Sequence, residues 1–254
     1  MSSTSLILNL ERPVELCAVK LAEEPLGGAP GEEYSIPQWT PISNQGGLPL
    51  CTTNALCDGL EYLAGIKGRP VLQQSRMFVH WFSRHKVGKE RERAGTAIST
   101  SIGCVQEHGV CTENSWPYDE DKWAVKPSLR AMMEADQYKA LEAWRAGTAN
   151  EIEQAVRRDR PVVGGVPVTT SFLKYRGTGD PWTSGQIEGN HAMLIVGVRW
   201  TSEGRSFRLR NSWGTGWGEG GYAWFPEKWL LERFDGWVLE DAPRLGGGWW
   251  RGSA

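Results

Sequence analysis

The period of the hydrophobic pattern changes once along this chain, and that change limits the fold more than any other feature. After Cys51, apolar residues recur at helical spacing through Leu56, Leu60, Leu63 and Ala64, with Gly65 as the expected stop. Further helices are expected over 74–84 and 98–108, with Gly109 ending the second. Asn150 is expected to open another, with Glu153 three residues on in a capping-box arrangement and Pro161 beyond its end. From there the pattern is that of strands. Residues 161–168 and 191–198 are short apolar runs, and 206–211 alternates, with Phe207 and Leu209 on one face and Arg208 and Arg210 on the other. Residues 221–225 form a further candidate strand. Helices first and strands second indicate an α+β protein of two lobes, and 254 residues are enough for both.

The expected organisation follows from this division. Residues 1–38 are an extended, loop-rich segment carrying Pro13, Pro25, Pro30 and Pro37; 39–145 form a helical lobe, 146–240 a β-rich lobe, and 241–254 a tail. In the tail, Gly246, Gly247 and Gly248 precede Trp249 and Trp250. Two adjacent indoles are costly to leave in water, so they are expected to pack on this chain or dock on a partner.

Net charge is −2 and no run of five like charges occurs, which gives no footprint for nucleic acid or acidic lipid. No apolar run approaches the ~18 residues of a membrane span. The first residues lack a basic n-region, and Asn9 breaks their apolar stretch, so no signal peptide is expected and the chain is placed in the cytoplasm. The five cysteines, at 17, 51, 57, 104 and 111, fit a reducing compartment, since an odd number cannot all pair within one chain. No CxxC or other zinc-ligand spacing is present, and neither metal nor cofactor is expected.

The chemistry is concentrated in three places. Cys51 stands at the start of the first expected helix, where unpaired N–H groups and the positive dipole end favour a thiolate, the reactive form of cysteine. Six residues upstream, Asn44-Gln45-Gly46 offers a glutamine amide on a glycine turn, suited to donate to a developing oxyanion together with the Cys51 N–H. Downstream, His191 opens an apolar strand, and Asn211 opens a turn rich in Gly and Trp. Asn211 can accept from an imidazole and hold its tautomer, while Trp213 shields that bond from water.

These residues give the chain a plain resemblance to the papain family of cysteine peptidases. The order Cys51, His191, Asn211 matches, as do the position of Gln45 before the nucleophile and the segment RNSWGTGWGEGGY at 210–222. Weaker similarity runs from Gly95 through Gly109-Val110 to Trp116-Pro117-Tyr118, and the whole resemblance covers about 38–240. It implies a two-lobed fold with a helical lobe, a β-barrel-like lobe and the active-site cleft between them. It also implies a cysteine endopeptidase acting on peptide or protein substrates, with Cys51 as nucleophile, His191 as base, Asn211 as orienter and Gln45 in the oxyanion hole. By the same resemblance Gly95 pairs with the substrate backbone, and Ala192 and Gly165 line the S2 pocket beside Trp213. Acyl transfer to an amine on the same site is the alternative, and a catalytically silent binding module the more distant one.

The departures are local. Leu48 stands where the family has a disulfide cysteine, Pro49 where glycine is common, and Thr52 where a tryptophan follows the nucleophile. Only 44 residues precede Gln45, too few for a long propeptide. The resemblance is therefore to a non-secreted, prokaryotic-looking member without the usual disulfides.

Overall fold

The computed structural model describes residues 28–139, 141–178, 181, 185–230 and 234–240. Most of the expected N-terminal segment, Cys17 and the tail with Trp249 and Trp250 lie outside the described residues. The elements run in the order β1 (Glu33–Ser35), α1 (Cys51–Ile66), α2 (Arg76–Lys86), α3 (Ile98–His108), α4 (Leu129–Ala135), β2 (Glu142–Ala146), α5 (Ala149–Arg157), β3 (Val162–Thr169), α6 (Thr170–Lys174), β4 (Ile187–Thr201), β5 (Gly204–Arg210), β6 (Tyr222–Pro226), α7 (Glu227–Leu230) and β7 (Asp235–Glu240).

The helix ends show why the pattern reading succeeded or slipped. Ser75 caps α2 by accepting from the Phe78 N–H. Gly109, at φ 75°, closes α3 at the predicted residue, because the chain there needs the left-handed region that glycine enters freely. Gly65 does not stop α1. It lies inside the helix, where a Cβ would sit 2.1 Å from the Trp39 ring, so its smallness serves packing. The capping box of α5 is formed by Thr148 and Glu151 rather than Asn150 and Glu153. Glu153 instead turns inward and pairs with Arg205 at 2.6 Å and Arg157 at 2.8 Å.

The strands form one antiparallel sheet of order β2-β7-β3-β4-β5-β6, with β1 paired to the far half of β4. β4 pairs with β3 up to Ile195, passes an irregularity between Ile195 and Gly197, and then pairs with β1. This break bends the strand, but among the described residues no pairing joins the edge strands β2 and β6. The β-rich lobe is thus an open sheet, not the closed barrel-like one expected. Helix α1 lies against the sheet. A Cβ at Gly59 would meet Leu239 Cδ1 at 2.4 Å and Leu194 Cδ1 at 3.3 Å, so a larger residue there would have to displace the ends of these leucines.

The alternation read over 206–211 held for Phe207 and Leu209, both fully buried, but Arg210 is buried as well. Its guanidinium reaches Asp58 of α1 at 2.8 Å and donates to the Thr40 carbonyl at 3.0 Å and to the Pro41 carbonyl. Asp58 and Glu61 also hold Arg76 of α2, each at 2.5 Å. Two carboxylates and two guanidinium groups balance here, which is what makes their burial tolerable.

A second, smaller core lies beside the nucleophile. Leu48, Leu50 and Met77 are buried together, rimmed by Trp116, Tyr118 and Trp123. Leu48, which replaces the family's cysteine, thereby anchors the loop by apolar burial instead of a covalent bond. Cys51, Cys57, Cys104 and Cys111 are all free thiols.

Candidate active site

Cys51 is the first residue of α1. The N-cap Leu50 has no capping side chain, and the first turn carries no acidic residue, so the helix end keeps its positive character at the sulfur. The thiol is 1% exposed. Burial pushes its pKa up, and backbone N–H groups near the sulfur, that of Ala192 first, oppose that rise. Ala192 follows His191 on β4, the strand against which α1 packs.

His191 lies on β4 opposite Val166 of β3 and is equally buried. Its Nε2 is 2.7 Å from Asn211 Oδ1, and that oxygen only accepts, so Nε2 carries the proton. Nδ1 is then the basic nitrogen, and it is buried without a partner among the described residues. Burial lowers the imidazole pKa to about 4, against the opposing bond to Asn211. Asn211 is itself fixed twice more: its N–H donates to the Gly221 carbonyl at 2.9 Å, and its Oδ1 accepts from the Ser212 N–H at 2.8 Å. The Trp213 ring lies over the imidazole with centroids 4.5 Å apart, and Phe172 of α6 packs edgewise on Trp213 at 5.4 Å. Apolar rings therefore cover the His–Asn bond, as the sequence suggested for Trp213.

Gln45 reaches the same place from the loop. Segment 43–45 lies along 212–214: the Gln45 N–H donates to the Ser212 carbonyl at 2.8 Å, the Gly214 N–H to the Ser43 carbonyl at 2.9 Å, and Asn44 bridges Trp213. The Gln45 Oε1 accepts from Ser212 Oγ at 2.8 Å, and Nε2 gives one N–H to the Leu48 carbonyl at 3.0 Å. The second amide N–H has no partner among the described residues. Gly46 sits at φ 59°, and a Cβ there would also meet the Tyr118 hydroxyl at 2.3 Å, so this turn requires glycine twice over. Tyr118 donates to the Gln45 carbonyl at 2.8 Å, and Glu120 accepts from the Gly47 N–H at 2.9 Å.

His191 and Asn211 are in direct contact, Gln45 joins them through Ser212, and Cys51 begins α1, the helix that packs on β4. Ala192 and Gly165 face each other across β4 and β3. Gly95 lies apart on the coil before α3, and its neighbour Thr96 accepts a hydrogen bond from Thr52 of α1. Sequence reasoning missed Ser212, which orients Gln45, and the pair Tyr118–Glu120, which holds the loop. Ser212 stood beside Asn211 in the motif and was legible there. Glu120 carried no local signal, because its partner is 73 residues away. No group of three or more His, Cys, Asp or Glu residues suited to a metal occurs among the described residues, and no helix there is long and apolar enough to cross a membrane.

Comparison with known proteins identifies the family. The model of the papain family cysteine protease matches residues 88–229, which takes in His191 and Asn211 and begins after Cys51. An uncharacterized peptidase C1-like protein of Acanthamoeba polyphaga mimivirus is 30% identical over 226 residues, covering 82% of this chain and 72% of that one. A cathepsin L-like proteinase of Fasciola hepatica is 30% identical over 132 residues, but there the match spans only 39% of the relative. Among solved structures, xylellain, a cysteine protease from Xylella fastidiosa, superposes with a TM-score of 0.75 at 28% identity, over 85% of this chain and 88% of its own. Digestive procathepsin L 3 of Tenebrio molitor larval midgut shares the fold with a TM-score of 0.68 at 20% identity, over 95% of this chain and 76% of its own. The fold and these relatives define a peptidase hydrolase of the two-lobed α+β class. The chain belongs to the papain family of cysteine proteases, whose substrates are peptides or proteins.

Proposed function

We propose that this protein is a cysteine endopeptidase that cleaves peptide bonds through a thioester acyl-enzyme, with Cys51 as nucleophile, His191 as acid and base, Asn211 as orienter and Gln45 as oxyanion donor. The observation that carries this reading is the 2.7 Å contact of His191 Nε2 with Asn211 Oδ1, which leaves Nδ1 as the basic nitrogen, buried and without a partner among the described residues. Burial favours the neutral thiol and the neutral imidazole when each is taken alone. Moving the thiol proton to Nδ1 creates both charges together, and the helix end and the Ala192 N–H stabilise the thiolate that results.

The steps then follow. The thiolate attacks the peptide carbonyl carbon, and the carbonyl electron pair moves onto oxygen. The Cys51 N–H and the free N–H of the Gln45 amide donate to that oxyanion. When the tetrahedral adduct collapses, the C–N bond breaks and His191 gives its Nδ1 proton to the leaving amine. Water next gives a proton to Nδ1 as its oxygen attacks the thioester, and the sulfur leaves and recovers its proton. Gly95 would pair with the substrate backbone. Ala192 and Gly165 form an uncharged S2 wall, where an apolar P2 side chain avoids burying an unpaired charge. The free thiols at 51, 57, 104 and 111 fit a reducing, cytoplasmic setting.

A peptide library incubated with wild type and with Cys51→Ala tests the proposal. Wild type is expected to generate products each carrying one added water, enriched for apolar P2 residues, and Cys51→Ala none, with its circular dichroism unchanged. Equal cleavage by the two proteins would reject the mechanism.

A further inference from the structure

The residue after the nucleophile departs from the family pattern, and its contacts give it a different task. Thr52 is 1% exposed, and its hydroxyl donates to the Thr96 carbonyl at 2.9 Å. Thr96, 4% exposed, lies between Gly95 and Ala97, the N-cap of α3, in a coil that spans 93–97. The Thr96 hydroxyl is in turn 3.1 Å from Ser101 Oγ, which is 3.1 Å from Ser83 Oγ, and Ser83 donates to the Val79 carbonyl at 2.7 Å. Ser101 and Ser83 are fully buried. A line of four hydroxyl groups therefore runs from α1 through the Gly95 segment into α3 and α2. Gly95 itself makes no backbone–backbone hydrogen bond among the described residues.

We propose that Thr52 is a positioning residue that fixes the substrate-binding edge at Gly95 relative to the Cys51 sulfur, by holding the Thr96 carbonyl turned inward. The inference rests on the reading of Gly95 as a backbone contact for the substrate. A tryptophan at this place positions its surroundings by volume, whereas a threonine hydroxyl does so by one directional bond whose length is set to tenths of an ångström. Because Thr52 follows the nucleophile directly, that bond ties the recognising edge to the attacking atom with one residue between them. With Thr96 O engaged inward, the polar groups of Gly95 remain for an extended peptide. Loss of the anchor would let the edge drift, weakening peptide binding while leaving the thiol itself in place.

Thr52→Val keeps the shape of the side chain and deletes the hydroxyl. It is expected to raise KM for peptide substrates about 5–10-fold, in line with one lost hydrogen bond, with kcat changed less than about twofold. Alkylation of Cys51 by iodoacetamide, which needs no peptide-binding edge, should stay within about twofold of wild type, and Thr52→Ser should restore KM. An unchanged KM, a parallel fall in hydrolysis and alkylation, or no rescue by serine would each overturn the inference; the second result would assign the hydroxyl to the thiol instead. If Thr52→Val does not fold, Ser101→Ala removes the brace on Thr96 from the far side. It should show the same split at about two- to threefold in KM, and no change there would equally overturn the inference. Hydrolysis that is absent in wild type, or unchanged in Cys51→Ala, would instead bring down the catalytic reading on which the inference stands.

Discussion

His191 and Asn211 are held by a sheet, whereas Cys51 and Gln45 are held by a helix end and a loop. On the sheet side, β4 is paired along both edges, and Asn211 follows directly from β5. The β3–β4 ladder fixes His191, the Gly221 carbonyl holds the Asn211 N–H, and the side chains around them, Trp213 and Phe172, add apolar cover. On the loop side, four residues of 44–50 are held by particular contacts: Ser212 and Tyr118 on Gln45, Glu120 on Gly47, the small apolar core on Leu48 and Leu50. A ladder tolerates sequence change as long as the pleat is kept. A loop of single contacts changes its devices when one is replaced, and here apolar burial and a carboxylate stand where the family has a disulfide.

The largest separation between the two sides should appear in turnover. Gln45→Ala removes an oxyanion donor and is expected to lower kcat by about 10²–10³. Asn211→Ala leaves His191 on its paired strand under Trp213 and should be milder, by about tenfold, the scale of one lost hydrogen bond. Steady-state kinetics on one peptide substrate decides it; a larger effect at Asn211 would mean that the sheet alone does not hold the base.

Stability sharpens the same contrast. Leu48→Ala empties the small core and should cost about 2–5 kcal/mol in denaturant melts. A comparable truncation in the sheet, Val163→Ala, also destabilises but should leave kcat nearly intact, while Leu48→Ala should reduce it by releasing the Gln45 loop. Equal kcat in the two variants would show that the loop does not depend on its core.

The smallest expected effect concerns the base. His191 has a native pKa of about 4 against an ordinary 6.5. Between those values the unfolded chain binds a proton that the native chain refuses. The stability this neutral histidine preserves is complete above 6.5 and is lost as pH falls toward 4. Denaturant melts at pH 7 and pH 5 should show wild type losing about 2 kcal/mol more than His191→Asn, which does not titrate. His80, which burial also holds well below its ordinary value, is present in both proteins. An equal loss would mean that His191 rests as the imidazolium.

The legibility of the sequence followed the same division. Helices α2 and α3 and strands β3 to β6 were readable because each carries its own period and its own end signals, as at Gly109. Strands β1, β2 and β7 were not, since their partners lie far along the chain and only the completed sheet defines them. Alternation alone puts Arg210 with Arg208 on the face opposite Phe207 and Leu209; its burial depends on Asp58, 152 positions earlier. The four candidate catalytic residues were legible because the chemistry needs those residue types, while Ser212, Tyr118 and Glu120, which hold them, are ordinary residues whose role exists only in three dimensions.

Labelling with a thiol-directed epoxide, followed by peptide mapping, tests most directly whether the two sides meet in one site. The account predicts modification predominantly at Cys51 in wild type, and a much slower reaction at that residue in His191→Ala, because the sheet supplies the base that activates the helix-end thiol. Predominant labelling at Cys17, Cys57, Cys104 or Cys111, or labelling of Cys51 that is indifferent to His191, would contradict it.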